Sequence, residues 1–155
     1  MIHTPSACPC NNTTSYQACC QALHDGELIA SSAEQLMRSR YSAFATGNIT
    51  YLIASLHPDN RQADDEIILR QTIEDTQWLG LKIIRHKPVG NNATVEFVAF
   101  YQDQSIGQLH ERSNFIKKDN QWFYVDGEIL DPIKLSRNQT CFCGSGKKIK
   151  KCHNS

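Results

Sequence analysis

The stretch TVEFVAFY, residues 94–101, decides the fold class of this 155-residue chain. Its apolar side chains recur at every second position, the period of a strand with one face in a core, at Val95, Phe97, Ala99 and Tyr101. The segment WLGLKII, residues 78–84, also has a strand composition, and the turn signal Gly90-Asn91-Asn92 separates the two segments. We therefore predict that they are antiparallel strands of one sheet.

Two further strand patterns follow along the chain. Residues 106–117 form a long mixed segment, and residues 122–125 are the run WFYV. Asp119-Asn120 between them is a hairpin signal. The second half of the chain therefore predicts an antiparallel sheet of four strands.

Helical periodicity precedes the sheet. Residues 31–56 carry apolar side chains at helical spacing, with a capping-box pattern at Ser32 and Gln35 and a break at Gly47-Asn48. The acidic run Asp64-Asp65-Glu66 then begins a third helix, where negative charge favours the helix dipole. Helices followed by an antiparallel sheet predict an α+β domain.

Composition excludes several classes of protein. The chain has 16 basic and 16 acidic side chains, and 40% of its residues are hydrophobic, as in an ordinary folded domain. No apolar run approaches the roughly 20 residues that a transmembrane helix needs. The first residues, MIHTPSACPCNN, have neither the basic nor the apolar region of a secretory signal. We expect a single folded domain in the cytoplasm, with no membrane partner.

The seven cysteines lie only near the two ends of the chain, in two clusters that share the spacing C-x-C-x8-C-[CH]. The front cluster is Cys8, Cys10, Cys19 and Cys20, and the rear cluster is Cys141, Cys143, Cys152 and His153. Four thiolates, or three thiolates and an imidazole, match the tetrahedral ligand set of structural zinc. Without an export signal, clustered cysteines favour metal over disulfides. We therefore predict one or two Zn²⁺ per chain.

The rear spacer, GSGKKIKK at residues 144–151, suits a closed zinc site. Its glycines permit a tight turn beneath the first ligand pair, and its four lysines place positive charge beside three thiolates. Because four protein ligands leave no position for a reactive water, a structural ion is favoured over a catalytic one. The alternative is free thiols, or disulfides formed in purification, at a frayed end.

The front spacer, NNTTSYQA at residues 11–18, has neither glycine nor lysine. The first basic residue of the chain is Arg38, so nothing nearby in the sequence offsets the charge of four thiolates. His24 could replace Cys20 as a ligand, although a solvated histidine is the simpler interpretation. Zinc at the front cluster is therefore predicted on weaker grounds than zinc at the rear cluster.

The rear segment CFCGSGKKIKKCH, residues 141–153, resembles the SEC-C motif, named for the zinc-binding carboxyl tail of the SecA translocase. In that protein the tail docks on the SecB chaperone and on ribosomes. The body resembles the YchJ family of small SEC-C proteins, in the segments MRSRYSAFATGNITYLIASLHP, TQWLGLKII, ERSNF and QWFYVDG between residues 37 and 127. The front cluster departs from the pattern, because it lacks the glycine and serine common after its first cysteine pair.

The resemblance implies an architecture. It is that of a nuclear transport factor two-like cone, a curved antiparallel sheet wrapped around helices, with a zinc motif at each end. The expected divisions are a cysteine-rich segment at residues 1–27, the α+β cone at residues 28–133 and the SEC-C motif at residues 134–155. Cones of this type often enclose a pocket, and some relatives are enzymes.

Few polar residues are candidates for such a pocket. They are Arg38, Arg40, Tyr41, His57, Glu111, Arg112 and Asp126. Arg38 and Arg112 could bind a carboxylate or phosphate, and His57 or Asp126 could act as a base. In the alternative interpretation the arginines lie on the surface, His57 ends a helix and Asp126-Gly127 is a turn. No nucleophile–base pair, phosphate loop or paired-carboxylate spacing occurs in the sequence, which favours binding over catalysis.

Zero net charge conceals a basic tail. Residues 134–155 contain six basic side chains and no acidic one. The lysines between the rear ligands form a compact surface suited to an acidic protein or to ribosomal RNA, and they are Lys147, Lys148, Lys150 and Lys151. We expect this tail to recruit a protein partner or the ribosome, unless the lysines serve only solubility. The rival hypotheses are a small-molecule binder or enzyme that uses the cone, and redox sensing through Cys19-Cys20.

Overall fold

A computed structural model describes residues 7–10 and 14–153 of the chain, so residues 11–13 of the front spacer lie outside it. In the described part, helices come first and strands follow, which is the α+β fold that the sequence predicts. The helices are α1 (Cys20–His24), α2 (Ala33–Thr46), α3 (Ile49–Ala54) and α4 (Asp65–Asp75). The strands are β1 (Gln77–Val89), β2 (Asn92–Gln102), β3 (Ile106–Lys118) and β4 (Gln121–Ile129). None of these helices is long and apolar enough to span a membrane.

Local capping sets the ends of α2 and the start of α3. The Ser32 hydroxyl accepts a hydrogen bond from the Gln35 backbone N–H at 3.1 Å, and the Gln35 side chain accepts one from the Ser31 N–H at 2.6 Å. Gly47 ends α2 in the left-handed conformation with φ 79°, and the Asn48 side chain then caps α3. The predicted break between the two helices is confirmed.

The four strands form one antiparallel sheet in the order β1-β2-β3-β4. Asp119 and Asn120 have φ values of 52° and 64°, the two left-handed positions of a type I′ turn between β3 and β4. The expectation that Asp126-Gly127 is a turn is wrong, because both residues continue β4 and pair with β3. A Cβ on Gly127 would lie 2.5 Å from the carboxyl carbon of Glu111, so the glycine leaves room for the end of that side chain across the strand pair.

The sheet is buried on both of its faces along part of β2. Val95, Phe97 and Ala99 point to the inner face, where they join α2 in the hydrophobic core. Val98 and Phe100 alternate with them on the outer face and are also buried, at 0% and 1% exposure. The ring of Phe142 stacks on Phe100, so the rear motif covers this part of the outer face. The two-residue alternation predicted the inner face but gave no sign of this second buried face.

The segment after β4 follows the free side of β3 toward the rear cluster. The Leu130 N–H donates to the His110 carbonyl at 2.7 Å. The Gln108 side chain then binds both backbone groups of Ile133, accepting from its N–H at 2.9 Å and donating to its carbonyl at 3.1 Å. These bonds direct the chain over the outer face, where the rear cluster lies.

Candidate metal centres and the inner cavity

The front cluster brings four thiols to one point. The sulfur atoms of Cys8, Cys10, Cys19 and Cys20 all lie within 4.8 Å of one another. The Cys10–Cys19 and Cys19–Cys20 sulfur distances are 3.8 and 3.9 Å, close to the separation of about 3.8 Å that tetrahedral zinc with bonds of about 2.3 Å imposes. None of the four forms a disulfide. The cluster therefore has the ligand types and spacing to hold a metal ion.

The front cluster is part of the core of the domain. Cys8, Cys10 and Cys20 are exposed by 3% or less and belong to the apolar cluster that contains residues of α2 and the inner face. The Ser42 hydroxyl of α2 donates to the Cys20 sulfur at 3.2 Å and lies 3.4 Å from that of Cys8. Such donors outside the ligand set orient thiolates and stabilise their charge.

A cation also reaches the front cluster, although none lies nearby in the sequence. The Arg38 guanidinium donates to the Cys10 carbonyl at 2.9 Å and pairs with Glu34 at 3.3 Å. Arg38 and Ser42 are four residues apart on α2, so they share one face of the helix. This four-residue spacing on a predicted helix is the sequence feature that could have identified both residues as neighbours. Arg38, the first basic residue of the chain, therefore lies at the front cluster, where it binds the backbone of a ligand residue and is paired with Glu34.

The thiols of the front cluster share protons unequally. Hydrogen bonds from the Cys10 and Cys20 thiols hold the pKa of Cys8 well below its ordinary value. Hydrogen bonds with Cys10 and Cys8 raise the pKa of Cys20. In this arrangement one sulfur ionises at the expense of its neighbour, and a bound cation would favour ionisation of all of them.

His24 is neither a ligand of the front cluster nor a solvated side chain. Its Nδ1 lies 2.6 Å from the Tyr16 hydroxyl, and its Nε2 lies 2.8 Å from the Ser39 carbonyl oxygen. Both ring nitrogens are therefore engaged in tying the loop before α1 to α2. Both sequence-based interpretations of His24 are wrong, because tertiary packing supplies two partners that spacing does not reveal.

The rear cluster has the same arrangement with an imidazole in place of one thiol. Its four ligand atoms lie within 4.8 Å of one another. The Cys143 and Cys152 sulfurs are 3.5 Å apart, and His153 Nδ1 lies 3.2 Å from the Cys141 sulfur and 3.3 Å from that of Cys152. Gly144 and Gly146 have φ values of 80° and 81°, which allow the turn beneath the ligands.

The thiols of the rear cluster differ in how readily they ionise: burial raises the pKa of Cys141, whereas Cys143 ionises more easily than an ordinary thiol. Burial opposes ionisation of Cys143, but hydrogen bonds from the Ser145 side chain and backbone and from Cys152 lower its pKa to about 6. A thiolate is the form that binds metal. The rear cluster can therefore hold a metal ion through three sulfurs and one nitrogen.

The loop between the rear ligands, residues 144–151, is anchored by a buried residue near its end and carries exposed lysines; we call it the lysine loop. Ile149 is buried at 6% exposure, and the Cys141 N–H donates to the Lys147 carbonyl at 2.7 Å. Four side chains of the loop are exposed and, within the described ranges, form no ion pair: Lys147, Lys148, Lys150 and Lys151. The positive charge of the loop is therefore available to a partner.

A cavity of about 260 Å³ lies between α2 and the inner face of the sheet. Apolar side chains make most of its wall, and the polar residues that line it are Arg40, Tyr41, Thr72, Glu111 and Tyr124. Of the seven polar residues named from the sequence as pocket candidates, Arg40, Tyr41 and Glu111 line this wall. Burial raises the pKa of Tyr124 to about 12, which keeps its hydroxyl protonated.

The other four predicted pocket residues do not converge. Arg38 lies at the front cluster. His57 caps the 3-10 turn that follows it, as the alternative interpretation of a helix-end residue anticipated in part. Arg112 is exposed on the outer face, where it bridges two glutamates, and Asp126 accepts a hydrogen bond from Asn114 on the neighbouring strand. These side chains form no common site.

Arg40 is the cation that the cavity does contain. It is 8% exposed, and its NH1 donates to the Leu52 carbonyl at 2.8 Å and to the Ser55 hydroxyl at 2.6 Å. Its guanidinium lies 4.6 Å from the centroid of the Tyr124 ring. Among the described residues no carboxylate lies within 4.0 Å of it, and desolvation lowers its pKa to about 10. The cavity thus contains a buried guanidinium that forms no ion pair within the described residues, and the carboxylate of Glu111 lines the same wall.

Family comparison agrees with this architecture. Residues 32–127 match the family model described as the YchJ middle NTF2-like domain, and residues 137–155 match the SEC-C motif. The chain belongs to the YchJ family. A UPF0225 protein of Serratia proteamaculans is 40% identical over 154 residues, covering 96% of this chain and 97% of that protein. One from Photorhabdus laumondii is 42% identical over 153 residues, covering 94% and 96%.

Two solved structures share the fold of this YchJ family protein. A SEC-C motif containing protein from Rhodopseudomonas palustris is 32% identical with a TM-score of 0.75, over 80% of this chain and 98% of that one. A SEC-C motif containing protein from Psychrobacter arcticus is 30% identical with a TM-score of 0.68, over 94% of both chains. Family membership therefore establishes the NTF2-like α+β fold and the SEC-C ligand motif, and leaves the activity to be argued from the sites.

Proposed function

We propose that this protein is a cytoplasmic, non-catalytic binding module whose rear cluster holds Zn²⁺ and presents a basic loop to an acidic macromolecule, either a protein or the ribosome. The observation that carries the proposal is the lysine loop itself. Its four exposed lysines project from a segment whose two ends are ligand groups and in which Ile149 is buried. A loop held in this way loses little conformational entropy on binding.

Zinc is the ion that fits the donor set. Cys141, Cys143 and Cys152 supply soft thiolates, and His153 supplies an imidazole, the ligands of structural zinc. Four protein donors complete a tetrahedral shell, so the ion would fix the loop rather than activate a water. The same argument assigns a structural Zn²⁺ to the four thiols of the front cluster.

The chemistry of the cysteines supports a reducing compartment. None of the seven is in a disulfide, and the two groups of metal-ligand type together contain all seven. Thiols in such clusters persist where glutathione and thioredoxin keep cysteines reduced, and the cytoplasm is such a compartment.

Binding of the full chain, loaded with zinc, to two labelled probes tests this function. The probes are an RNA hairpin and an acidic peptide of equal charge, and the readout is fluorescence anisotropy at low salt. We expect at least one probe to bind. Replacing all four loop lysines by glutamine, or the rear ligand Cys143 by serine, should abolish binding. If neither probe binds, or if binding survives both changes, the proposal is wrong.

A second candidate function, a small-molecule binder, is favoured by Arg40. Its guanidinium is buried in a cavity with mostly apolar walls and forms no ion pair with Glu111, the carboxylate that shares the wall, so it can pair with a small aromatic or aliphatic carboxylate. Titration calorimetry with benzoate, benzyl alcohol and benzylamine separates the cases. Benzoate should bind tightest, and Arg40→Met should remove that preference while Arg40→Lys retains part of it. Equal binding of all three compounds, or of none, would exclude a carboxylate site.

A further inference from the structure

The outer face of β1 carries a column of three exposed cations. The strand register places Lys82 opposite Val98, Arg85 opposite Glu96 and Lys87 opposite Thr94. The three partner residues on β2 alternate with its inner-face residues, so they point to the outer face. Residues directly opposite each other in a sheet point to the same face, and the three cations therefore point to the outer face as well. A bulge between Ile83 and Arg85 inserts one extra residue. Without the bulge, Arg85 and Lys87 would point to the inner face.

The rear motif adjoins this column. The Phe142 ring stacks on Phe100 with centroids 4.1 Å apart, and Phe100 lies opposite Gly80 on β1. Gly80 has no side chain to separate the docked motif from the strand. Lys82, the first cation of the column, is two residues further along, a rise of about 7 Å. The column therefore lies on the face of the sheet on which the rear motif docks, and it begins about 7 Å along β1 from the position opposite the docking contact.

The cations of this surface take part in no ion pair within the part of the chain that the structure describes. Among the described residues, none of the three column cations and none of the four loop lysines lies within 4.0 Å of a carboxylate. Glu96, the acid nearest to the column, is already paired with His110 at 2.9 Å and with Arg112 at 3.5 Å. Asp126 and Glu128 lie on β4, three strands and about 14 Å from β1. The outer face is thus basic at β1 and acidic at β4.

We propose that the outer column of β1 and the lysine loop form one composite surface that binds RNA through its phosphate backbone. This inference rests on the proposed function and names its partner class. The cores of protein–protein interfaces are depleted in lysine and depend on aromatic or apolar anchors. Here the apolar residues of the motif, Phe142 and Ile149, are turned toward the body of the protein. A polyanion needs no such anchor.

The shape of the surface also fits a nucleic-acid backbone. The column repeats along an extended strand, so its cations can meet successive phosphates rather than one isolated anion. The acidic β4 edge repels phosphate, which limits binding to the β1 side of the face. Because these contacts reach no base edge, we expect binding that depends strongly on salt and little on sequence.

Matched double variants test the composite surface. Lys82→Gln/Arg85→Gln removes one lysine and one arginine from the column. Arg70→Gln/Lys118→Gln removes the same two charge types from exposed positions on α4 and at the end of β3. The probe is the labelled RNA hairpin with the zinc-loaded full chain. Zinc content and circular dichroism confirm that both variants remain folded.

The column variant should weaken RNA binding by about tenfold and reduce the slope of log affinity against log salt by about 1.5, as expected for two lost phosphate contacts. The control variant should stay within about twofold of the wild type. RNA binding that needs the loop lysines but is unchanged in the column variant overturns the composite surface and leaves the proposed function intact. Binding of the acidic peptide without binding of RNA overturns the partner class. Failure of both probes overturns the proposed function as well.

Discussion

The ring of Phe142 lies nearly parallel to the ring of Phe100, with centroids 4.1 Å apart and planes inclined by 8°. Phe142 stands between two ligands of the rear cluster, Cys141 and Cys143, and its other ring neighbour is the ligand His153 at 5.3 Å. A metal ion that orders these ligands would therefore also orient the ring that docks the motif. This one contact couples the rear metal centre to the β-sheet.

The first prediction concerns that stacked pair. In a double-mutant cycle of Phe100→Ala and Phe142→Ala, we expect a coupling energy of about 1 kcal/mol, the range for stacked aromatic rings. Phe142→Ala alone should leave zinc bound while the lysine loop becomes more sensitive to trypsin. Denaturant unfolding and limited proteolysis measure the two effects. Coupling near zero would mean that the rings do not dock the motif.

The second prediction contrasts the two clusters. Cys10 is fully buried in the core, whereas Cys152 is half-buried in the peripheral motif. Cys10→Ser should therefore destabilise the whole domain by roughly 3 kcal/mol or more, because it removes a ligand and leaves buried thiols uncompensated. Cys152→Ser should remove one zinc but change the melting temperature of the domain little. Equal losses of stability would show that the clusters are equivalent.

The third prediction concerns the hydroxyl beside the front cluster. Ser42 is completely buried and donates to the Cys20 sulfur, so Ser42→Ala should lower the affinity of the front site for zinc by about 10- to 100-fold. Thr46→Ala is the control, because the Thr46 hydroxyl lies one turn further along α2 and donates to the Ser42 backbone carbonyl rather than to a sulfur. Competition with a chromogenic chelator measures both affinities. A front site insensitive to Ser42→Ala would argue against a role for the hydroxyl.

The fourth prediction is a pH dependence at the segment that leads to the rear motif. His110 Nδ1 lies 2.6 Å from the Asp131 carbonyl oxygen, and its Nε2 lies 2.9 Å from Glu96. Burial alone would lower the pKa of His110, but these two hydrogen bonds outweigh it and raise the pKa above its ordinary value of 6.5. The hydrogen bond with His110 lowers the pKa of Glu96 below 4.5.

The signs of these shifts define a window of stability. The raised pKa of His110 contributes stability fully below pH 6.5, and this contribution is lost as the pH rises through the raised value. The lowered pKa of Glu96 contributes stability above pH 4.5, which is lost as the pH falls through the lowered value. Relative to His110→Gln, the wild type should therefore be more stable at about pH 6 than at about pH 9 in urea unfolding. The metal ligands titrate equally in both proteins, so their contribution cancels in the difference between the two unfolding free energies. If that difference did not change with pH, the assignment to His110 would be refuted.

Several elements could be predicted because they depend on neighbours in the sequence. The caps at Ser32 and Asn48 and the left-handed turn at Asp119-Asn120 each use residues within a few positions of one another. The spacing of the cysteines likewise identified two groups of ligand type. The inner-face residues of β2 followed from the period of a strand.

The candidate pocket could not be predicted in the same way. Arg38, His57, Arg112 and Asp126 have suitable chemistry but lie on different faces of the fold, since which side chains meet in a cavity depends on helix rotation and strand register. Arg40, Tyr41 and Glu111, which were named from the sequence with them, do line the cavity.

By itself, the sequence determined the α+β order of the elements, the turns and caps between them, and the two sets of candidate metal ligands, because local backbone preferences and residue types carry that information. The tertiary structure alone decided that Arg38 and Ser42 reach the front cluster, that the rear motif docks through Phe142 on Phe100, and that the bulge in β1 turns Arg85 and Lys87 outward. These relationships join distant segments. They depend on side-chain packing and strand register, and neither leaves a repeating pattern in the sequence.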